Sequence, residues 1–482
     1  MRTIIAKYNN LPLALRATIW FTICNIVLKG ISFFTMPLYT SILPTEQYGR
    51  MTVLMSYEAV LCIFSTLELY LGAYQRGILQ FKEDVKSYEN AVVLTSNIIT
   101  VAVFLLVTLF SEAFVGFTGM PISLFAIMSL YFLGAAPYNC WLNKKRFDYD
   151  YKAAVIVTIA MALISNLLPI AALFIWGKTA YVKLASTFLI STVFFIPFWV
   201  RDFHPIDFVK NGNKSKEYVS FALKFQAPLV FHSLSYYVLS QSDRIMIEKF
   251  TDSTKAAFYS VAYSLSMVIM LVQNALNQVL KPWRFKKLEA KEYKSVRELS
   301  NSLVVMIGVA IICFMLVVPE VLRLMFSDEY QEAVLCIPPV TMSVFFLFLY
   351  TIFVDIESYY KKTKYIAYVS TFCAVLNLLL NYIGLQFMSY QICAYTTLIS
   401  YIVMSYLHFV FMKRTCKKAN VEELPVDSKF IWMFSAFLVL VFSCVNVVYT
   451  NVCIRYIILA VIAIILVINR KRIIKVIKQM KG

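Results

Sequence analysis

The chain is cut into about fourteen apolar blocks of roughly 20 residues each, separated by short polar turns. At 1.5 Å per residue, a helix of that length crosses a hydrocarbon layer of ~30 Å. A lipid-embedded backbone finds no water, so each block must satisfy its own amides as a helix. The blocks lie near residues 17–40, 51–75, 91–111, 120–141, 153–175, 180–200, 219–242, 256–280, 298–319, 334–359, 365–386, 390–412, 430–449 and 451–469. The alternating short segments of a membrane β-barrel are not seen. Hydrophobic residues make up 60% of the chain and charged residues 15%, against roughly 45–50% and 25% in soluble domains. The longest gaps, 201–218, 281–297 and 413–429, are too short for a soluble domain. The first apolar run is too long for a cleavable signal and lacks a small-residue exit. The expected fold class is an all-α polytopic membrane protein.

The formal net charge of +18 invites a nucleic-acid reading until the charges are mapped. Most of the 45 Lys and Arg fall in alternate loops, counted from the N-terminus. Examples are Arg76, Lys82 and Lys86, then Lys144, Lys145 and Arg146, then Lys361, Lys362 and Lys364. This is the positive-inside pattern, and it places both termini in the cytoplasm, as an even number of spans requires. The basic balance then reports topology and contact with anionic lipid, with no nucleic-acid partner. Trp20, Trp141, Trp176, Trp199, Trp283 and Trp432 sit near span ends, as an interfacial belt does. The ten cysteines fall mostly within spans without a C-x-x-C pair, so they read as small apolar residues.

The spacing predicts two six-helix lobes, residues 1–200 and 219–412, joined by a cytoplasmic linker at 201–218. Residues 413–482 add a basic loop, a two-helix hairpin and a basic tail. A weak echo links "ILPTEQYGRMTVLMS" with "KFTDSTKAAFYSVAYS" and fits two parallel repeats. Pro37 and Pro228 stand out among the span prolines, each in the opening helix of a half that also holds a Lys.

A charge at mid-bilayer costs at least about 2.5–3.5 kcal/mol, so intramembrane charges face a bundle interior or an aqueous cavity. In span 1, Thr22, Asn25, Lys29 and Ser32 recur on one helical face. In span 7, Ser220, Lys224, Pro228, Ser235 and Ser242 do the same, with Lys224 near enough to the end to snorkel. His232 lies off that stripe, and a bonded bundle-interior role for it weighs equally with a transport role. Span 2 carries Glu58, Ser65, Glu68 and Gly72 within a broad arc. Span 10 carries Asp355 and Glu357, and span 8 the amides Gln273, Asn274, Asn277 and Gln278. Cations in a wet cavity suit an anionic cargo. Carboxylates there exchange H+ or Na+ as a gate moves. The competing reading is that Lys29 pairs with Glu58 or Glu68 and merely joins two helices.

The stretches "PLYTSILPTEQYGRMTVLMS", "LELYLGAYQR" and "SDRIMIEKF…FYSVAYSL" resemble polysaccharide-unit flippases of the Wzx (O-antigen) type. These belong to the multidrug/oligosaccharidyl-lipid/polysaccharide exporter superfamily, and the resemblance covers about residues 10–412. It implies two lobes around a central cavity. It implies alternating access that moves an undecaprenyl-pyrophosphate-linked oligosaccharide to the outer leaflet of the bacterial cytoplasmic membrane. Asp243 and Arg244 match the Asp-Arg pair near the outer end of span 7. Glu46–Gly49 match the turn after span 1, where the Gly allows a tight entry into span 2. Gly72 and Arg76 match the small residue and the cation closing span 2. Leu43-Pro44, Tyr70 and Ala257-Phe258 depart from the family pattern at its turns.

The candidate cargo-binding residues are thus Asn25, Lys29, Arg76, Lys224 and Arg244. The candidate ion-coupling residues are Glu58, Glu68, Asp243, Asp355 and Glu357. No metal or organic cofactor is expected, only H+ or Na+ as coupling ion. Membrane lipids, the lipid-linked glycan and the polymerase and chain-length proteins of a polysaccharide pathway are the expected partners. A cation-coupled drug exporter is the main alternative. A membrane polymerase or acyltransferase ranks below it, because no large external loop or H-x₄-D pattern is present, and no phosphate-binding glycine loop for ATP.

Overall fold

The first reversal among the described residues needs only two residues. The first helix, α1 (Leu13–Ile42), ends at Leu43, whose backbone is extended, and Pro44 caps α2 (Thr45–Thr66). Proline suits that place, because the amides of a first helical turn have no intrahelical partner to lose. Gly49 does not shape this turn, as the family resemblance implied; it lies buried inside α2. The turn-side residue Gln47 instead accepts the Ala180 amide at 3.1 Å.

The computed structural model describes residues 11–361, 364–449 and 451–470. Arg2, Lys7, Lys362 and the tail beyond 470 lie outside the described residues. All regular structure among the described residues is helical. After α2 come α3 (Gly72–Gln80), α4 (Val85–Leu109), α5 (Ser111–Thr118), α6 (Ile122–Phe147), α7 (Tyr151–Trp176), α8 (Ala180–Asp202), α9 (Pro205–Lys210) and α10 (Gly212–Phe250). Then follow α11 (Ser253–Ser266), α12 (Val268–Glu289), α13 (Tyr293–Met325), α14 (Ile337–Tyr359), α15 (Lys364–Phe387), α16 (Ile392–Lys418), α17 (Ser428–Val448) and α18 (Val452–Ile468).

Each of the fourteen expected spans has helix over it. Eleven of the helical stretches are long and apolar enough to cross a membrane by length and composition. The other three fall short for identifiable reasons: α2 and α10 are diluted by polar side chains, and α18 has only 17 residues. The chain is therefore a multi-pass, all-α membrane protein.

Span 2 is not one helix. It breaks between Thr66 and Gly72, where Leu67 and Glu68 both take left-handed backbone angles, φ 47° and 48°. The left-handed region is strained for residues with a β-carbon. The broad arc expected from an unbroken helix therefore does not carry Glu68 and Gly72 on from Glu58. Side chains take up the freed backbone groups, as a break at membrane depth demands. Thr66 Oγ1 accepts the Glu68 amide at 3.1 Å, Thr100 donates to Ser65 O at 2.8 Å, and Asn143 donates to Tyr70 O at 2.9 Å. Gln226 accepts the Ala73 amide at 3.0 Å. Gly72 lets α3 approach α10 closely, since a β-carbon there would stand 2.5 Å from Leu229 Cδ1.

The chain divides into two compact units, Met1–Glu248 and Lys249–Gly482. That boundary falls well past the 201–218 linker, a stretch that is itself mostly helical. Contacts along α10 explain its place in the first unit. Tyr218 donates to Asp84 at 2.9 Å, Ser56 to Gln241 at 3.2 Å, and Arg50 pairs with Glu248 at 2.6 Å. In the second unit α14 is buried along nearly its whole length. It packs against α11, α12, α13, α16 and α17. The last hairpin is tied to this unit by Arg455, which is fully buried, paired with Glu320 at 2.6 Å and donating to Leu316 O at 2.7 Å.

Candidate functional site

Hydroxyls on a helix commonly turn back to their own carbonyls. On α1, Thr18 donates to Ala14 O at 2.9 Å, Thr22 to Thr18 O at 2.8 Å and Ser32 to Leu28 O at 3.2 Å. Asn25 and Lys29, on the same face, are exposed on the first unit. α1 also packs on α7, where Trp20 stacks on Tyr151 and the Tyr39 hydroxyl donates to Asn166 O at 2.6 Å. Lys29 does not pair with Glu58 or Glu68; neither carboxylate has it as an ionic neighbour.

Glu58 interacts instead with Lys183, a buried lysine one turn into α8 whose ammonium lies 5.2 Å from the Tyr39 ring centre. Glu68 is buried at the break between α2 and α3, with Ser233 of α10 bonded to its carboxyl. Its Oε2 has no hydrogen-bond partner among the described residues. Between the two carboxylates lie Cys62, 3.6 Å from the Tyr70 hydroxyl, and Tyr237, which feels both charges. The first unit thus brings together ionisable groups from different elements: the buried Lys183 of α8, the half-buried Glu58 of α2 and the buried Glu68 at the break after α2.

Arg76 and Lys224 are exposed on this unit. The span 7 stripe changes character along its length: Lys224 and Pro228 are exposed, Ser235 and Ser242 buried. Asp243 and Arg244 are both buried, and Arg244 donates to Ser240 O and Gln241 Oε1, each at 2.9 Å. His232 Nδ1 is buried with no hydrogen-bond partner among the described residues.

At the basic end of the first unit lies a second charged cluster. Glu89 is buried, accepts the Tyr74 hydroxyl at 2.9 Å and faces Arg201 at 3.3 Å and Lys144 at 3.7 Å. Asp202 pairs with Arg201. A cavity of about 340 Å³ opens among Lys86, Glu89, Lys144, Arg201, Asp202 and His204. Sequence reasoning missed it because Glu89 and Asp202 fall just beyond the span limits and read as loop charges.

In the second unit, Asp355 and Glu357 point to different partners. Asp355 is held by the buried Arg284 and by Lys281 at 3.7 Å, both from α12. Glu357 faces His408 of α16, with Nδ1 3.1 and 3.2 Å from its two oxygens. Both of these side chains are wholly buried. Span 8 contributes Gln273, which donates to Val344 O at 3.1 Å. Among the described residues no group of three or more His, Cys, Asp or Glu is arranged to hold a metal ion.

Residues 14–286 match a family described as polysaccharide biosynthesis protein, and residues 228–383 match the MatE family. No curated protein matches the sequence. Among solved structures, the chain is similar to the lipid II flippase MurJ in an inward closed conformation, with a TM-score of 0.63. That match has 14% identity and covers 93% of this chain and 100% of the other. An inward-facing multidrug resistance MATE family transporter of the MOP superfamily matches at TM-score 0.58 and 14% identity, over 83% and 100%. A MOP superfamily transporter from Pyrococcus furiosus matches at 0.54 and 14%, over 85% and 97%. At such identity these likenesses concern the fold, which is that of the MOP superfamily. The match to residues 14–286 spans more than half of the 482 residues, and the chain belongs to the polysaccharide biosynthesis protein family.

Proposed function

We propose that the chain is a flippase that carries an undecaprenyl-diphosphate-linked oligosaccharide from the cytoplasmic to the outer leaflet of a bacterial cytoplasmic membrane. The observation that carries this reading is the Asn25–Lys29 face of α1, exposed on its unit, with Lys29 in no ion pair with Glu58 or Glu68 among the described residues. An ammonium on a spanning helix is too costly to leave in hydrocarbon, so Lys29 is assigned to the aqueous route, where a diphosphate supplies its counter-charge. Asn25, Arg76, Lys224 and Arg244 are the further candidates for the glycan and diphosphate. Transport is coupled to H+ or Na+ through one or more of Glu58, Glu68, Asp243, Asp355 and Glu357. In this reading both termini are cytoplasmic, and polymerase and chain-length proteins act on the delivered product.

The match of residues 228–383 to the MatE family supports a second reading, a cation-coupled exporter of small molecules. Deleting the gene separates the two. A flippase deletion accumulates lipid-linked oligosaccharide inside the cell and loses surface glycan. An exporter deletion leaves both unchanged and raises sensitivity to cationic drugs.

A further inference from the structure

Several polar ties between helices in the second unit use neutral groups: Gln273 to Val344 O at 3.1 Å, Thr341 to Ser266 at 3.0 Å, Asn377 to Thr397 at 3.3 Å. Glu357 and His408 are different. Two titratable side chains meet with no exposure at all, where an amide and a hydroxyl would join α14 to α16 as well. His408 Nδ1 faces both carboxylate oxygens and is therefore the donor to them. Its Nε2 is buried with no hydrogen-bond partner among the described residues. The Tyr350 ring meets the imidazole edge-on at 4.9 Å.

Charge balance gives this geometry a chemical meaning. A carboxylate beside a neutral imidazole leaves one uncompensated negative charge in an apolar core, an unfavourable state. The nearby cations face another group: Arg284 and the half-exposed Lys281 both meet Asp355, two residues earlier on α14, and neither pairs with Glu357 among the described residues. One proton added at Nε2 makes a neutral carboxylate–imidazolium pair. The pair therefore takes up and releases a single proton as a unit. The ionisable groups set around it are Asp355 with its two cations, Tyr350 on α14, and Cys416 on α16, which feels the Glu357 charge.

We propose that Glu357 and His408 form a binding site for one exchangeable proton, and that this proton is the coupling ion of transport. The first half rests on the geometry alone; the second rests on the flippase reading as well.

The test begins with the purified full-length protein in detergent, without cargo. Proton uptake between about pH 8 and pH 5 is measured by titration for the wild type, Glu357→Gln, His408→Asn and the double variant. Both substitutions keep a hydrogen-bonding amide in place. A shared site predicts that each single variant loses the same single proton, about one per chain, and that the double variant loses no more. Additive losses, or unchanged uptake in Glu357→Gln, would overturn the site. In cells, the coupling half predicts that surface-glycan delivery by either variant no longer responds to a protonophore. A response equal to that of the wild type would overturn coupling while leaving the proton site standing. If the gene deletion leaves lipid-linked and surface glycan unchanged, the flippase reading falls, and the titration still decides the site. If one single variant fails to fold, the other and the double variant carry the same comparison.

Discussion

At the scale of single residues, Lys29 is the informative cation, because it lies mid-helix in an apolar span, exposed on its unit and away from both Glu58 and Glu68. Lys29→Ala is expected to lower surface-glycan delivery about tenfold at constant protein level, the equivalent of one charge-assisted hydrogen bond of about 1.5 kcal/mol. Lys29→Arg is expected to retain most delivery. Arg284 makes the opposite case, a cation held wholly inside. Arg284→Met leaves Asp355 buried beside only the more distant Lys281, and is expected to destabilise the protein by about 3–5 kcal/mol. The double variant Arg284→Met/Asp355→Leu is expected to recover most of that loss; thermal unfolding in detergent checks both. The intramembrane carboxylates were legible in the sequence, since a Glu or Asp inside an apolar block announces itself. Their partners were not. Lys183 and Arg284 lie near span ends and read as loop cations, and His408 meets Glu357 across 51 positions of sequence. Helical periodicity assigns a residue to a face, but only packing decides what that face meets.

At the scale of elements, block length anticipated helix over all fourteen blocks, eleven of them in stretches long and apolar enough to span, while the break in span 2 had no local signal. "STLELYLG" offers neither proline nor glycine at Leu67 and Glu68, and the break is held by side chains from α4, α6 and α10. Asn143 is the clearest of these. It donates to Tyr70 O at 2.9 Å and accepts from Gln75 at 3.1 Å. Asn143→Leu strands a buried carbonyl and is expected to cost about 1–3 kcal/mol, measured as a lowered unfolding temperature. The approach of α3 to α4 is as restricted. A β-carbon on Gly77 would stand 2.1 Å from the Tyr88 ring, whose hydroxyl donates to Ala73 O at 2.9 Å. Gly77→Ala is expected to displace that ring and lower stability, and Gly77→Ala/Tyr88→Leu to recover part of the loss in the same measurement.

At the scale of the whole molecule, the all-helical, multi-pass plan was legible because lipid leaves a backbone so few options. The division of the chain was less so. Loop length and charge pointed to 201–218, whereas the compact units part at Glu248, because α10 is fastened to α2, α3 and the 82–84 turn by side chains spread over its length. The chain belongs to the polysaccharide biosynthesis protein family, and its fold resembles that of the solved lipid II flippase MurJ. The most direct measurement uses the purified protein in liposomes loaded with an undecaprenyl-diphosphate oligosaccharide, with an added lectin reporting glycan exposed on the outer leaflet. The account predicts lectin accessibility that rises faster than in protein-free liposomes and is slowed by Lys29→Ala. Accessibility equal to that of protein-free liposomes, in a preparation that still moves a cationic dye, would contradict it.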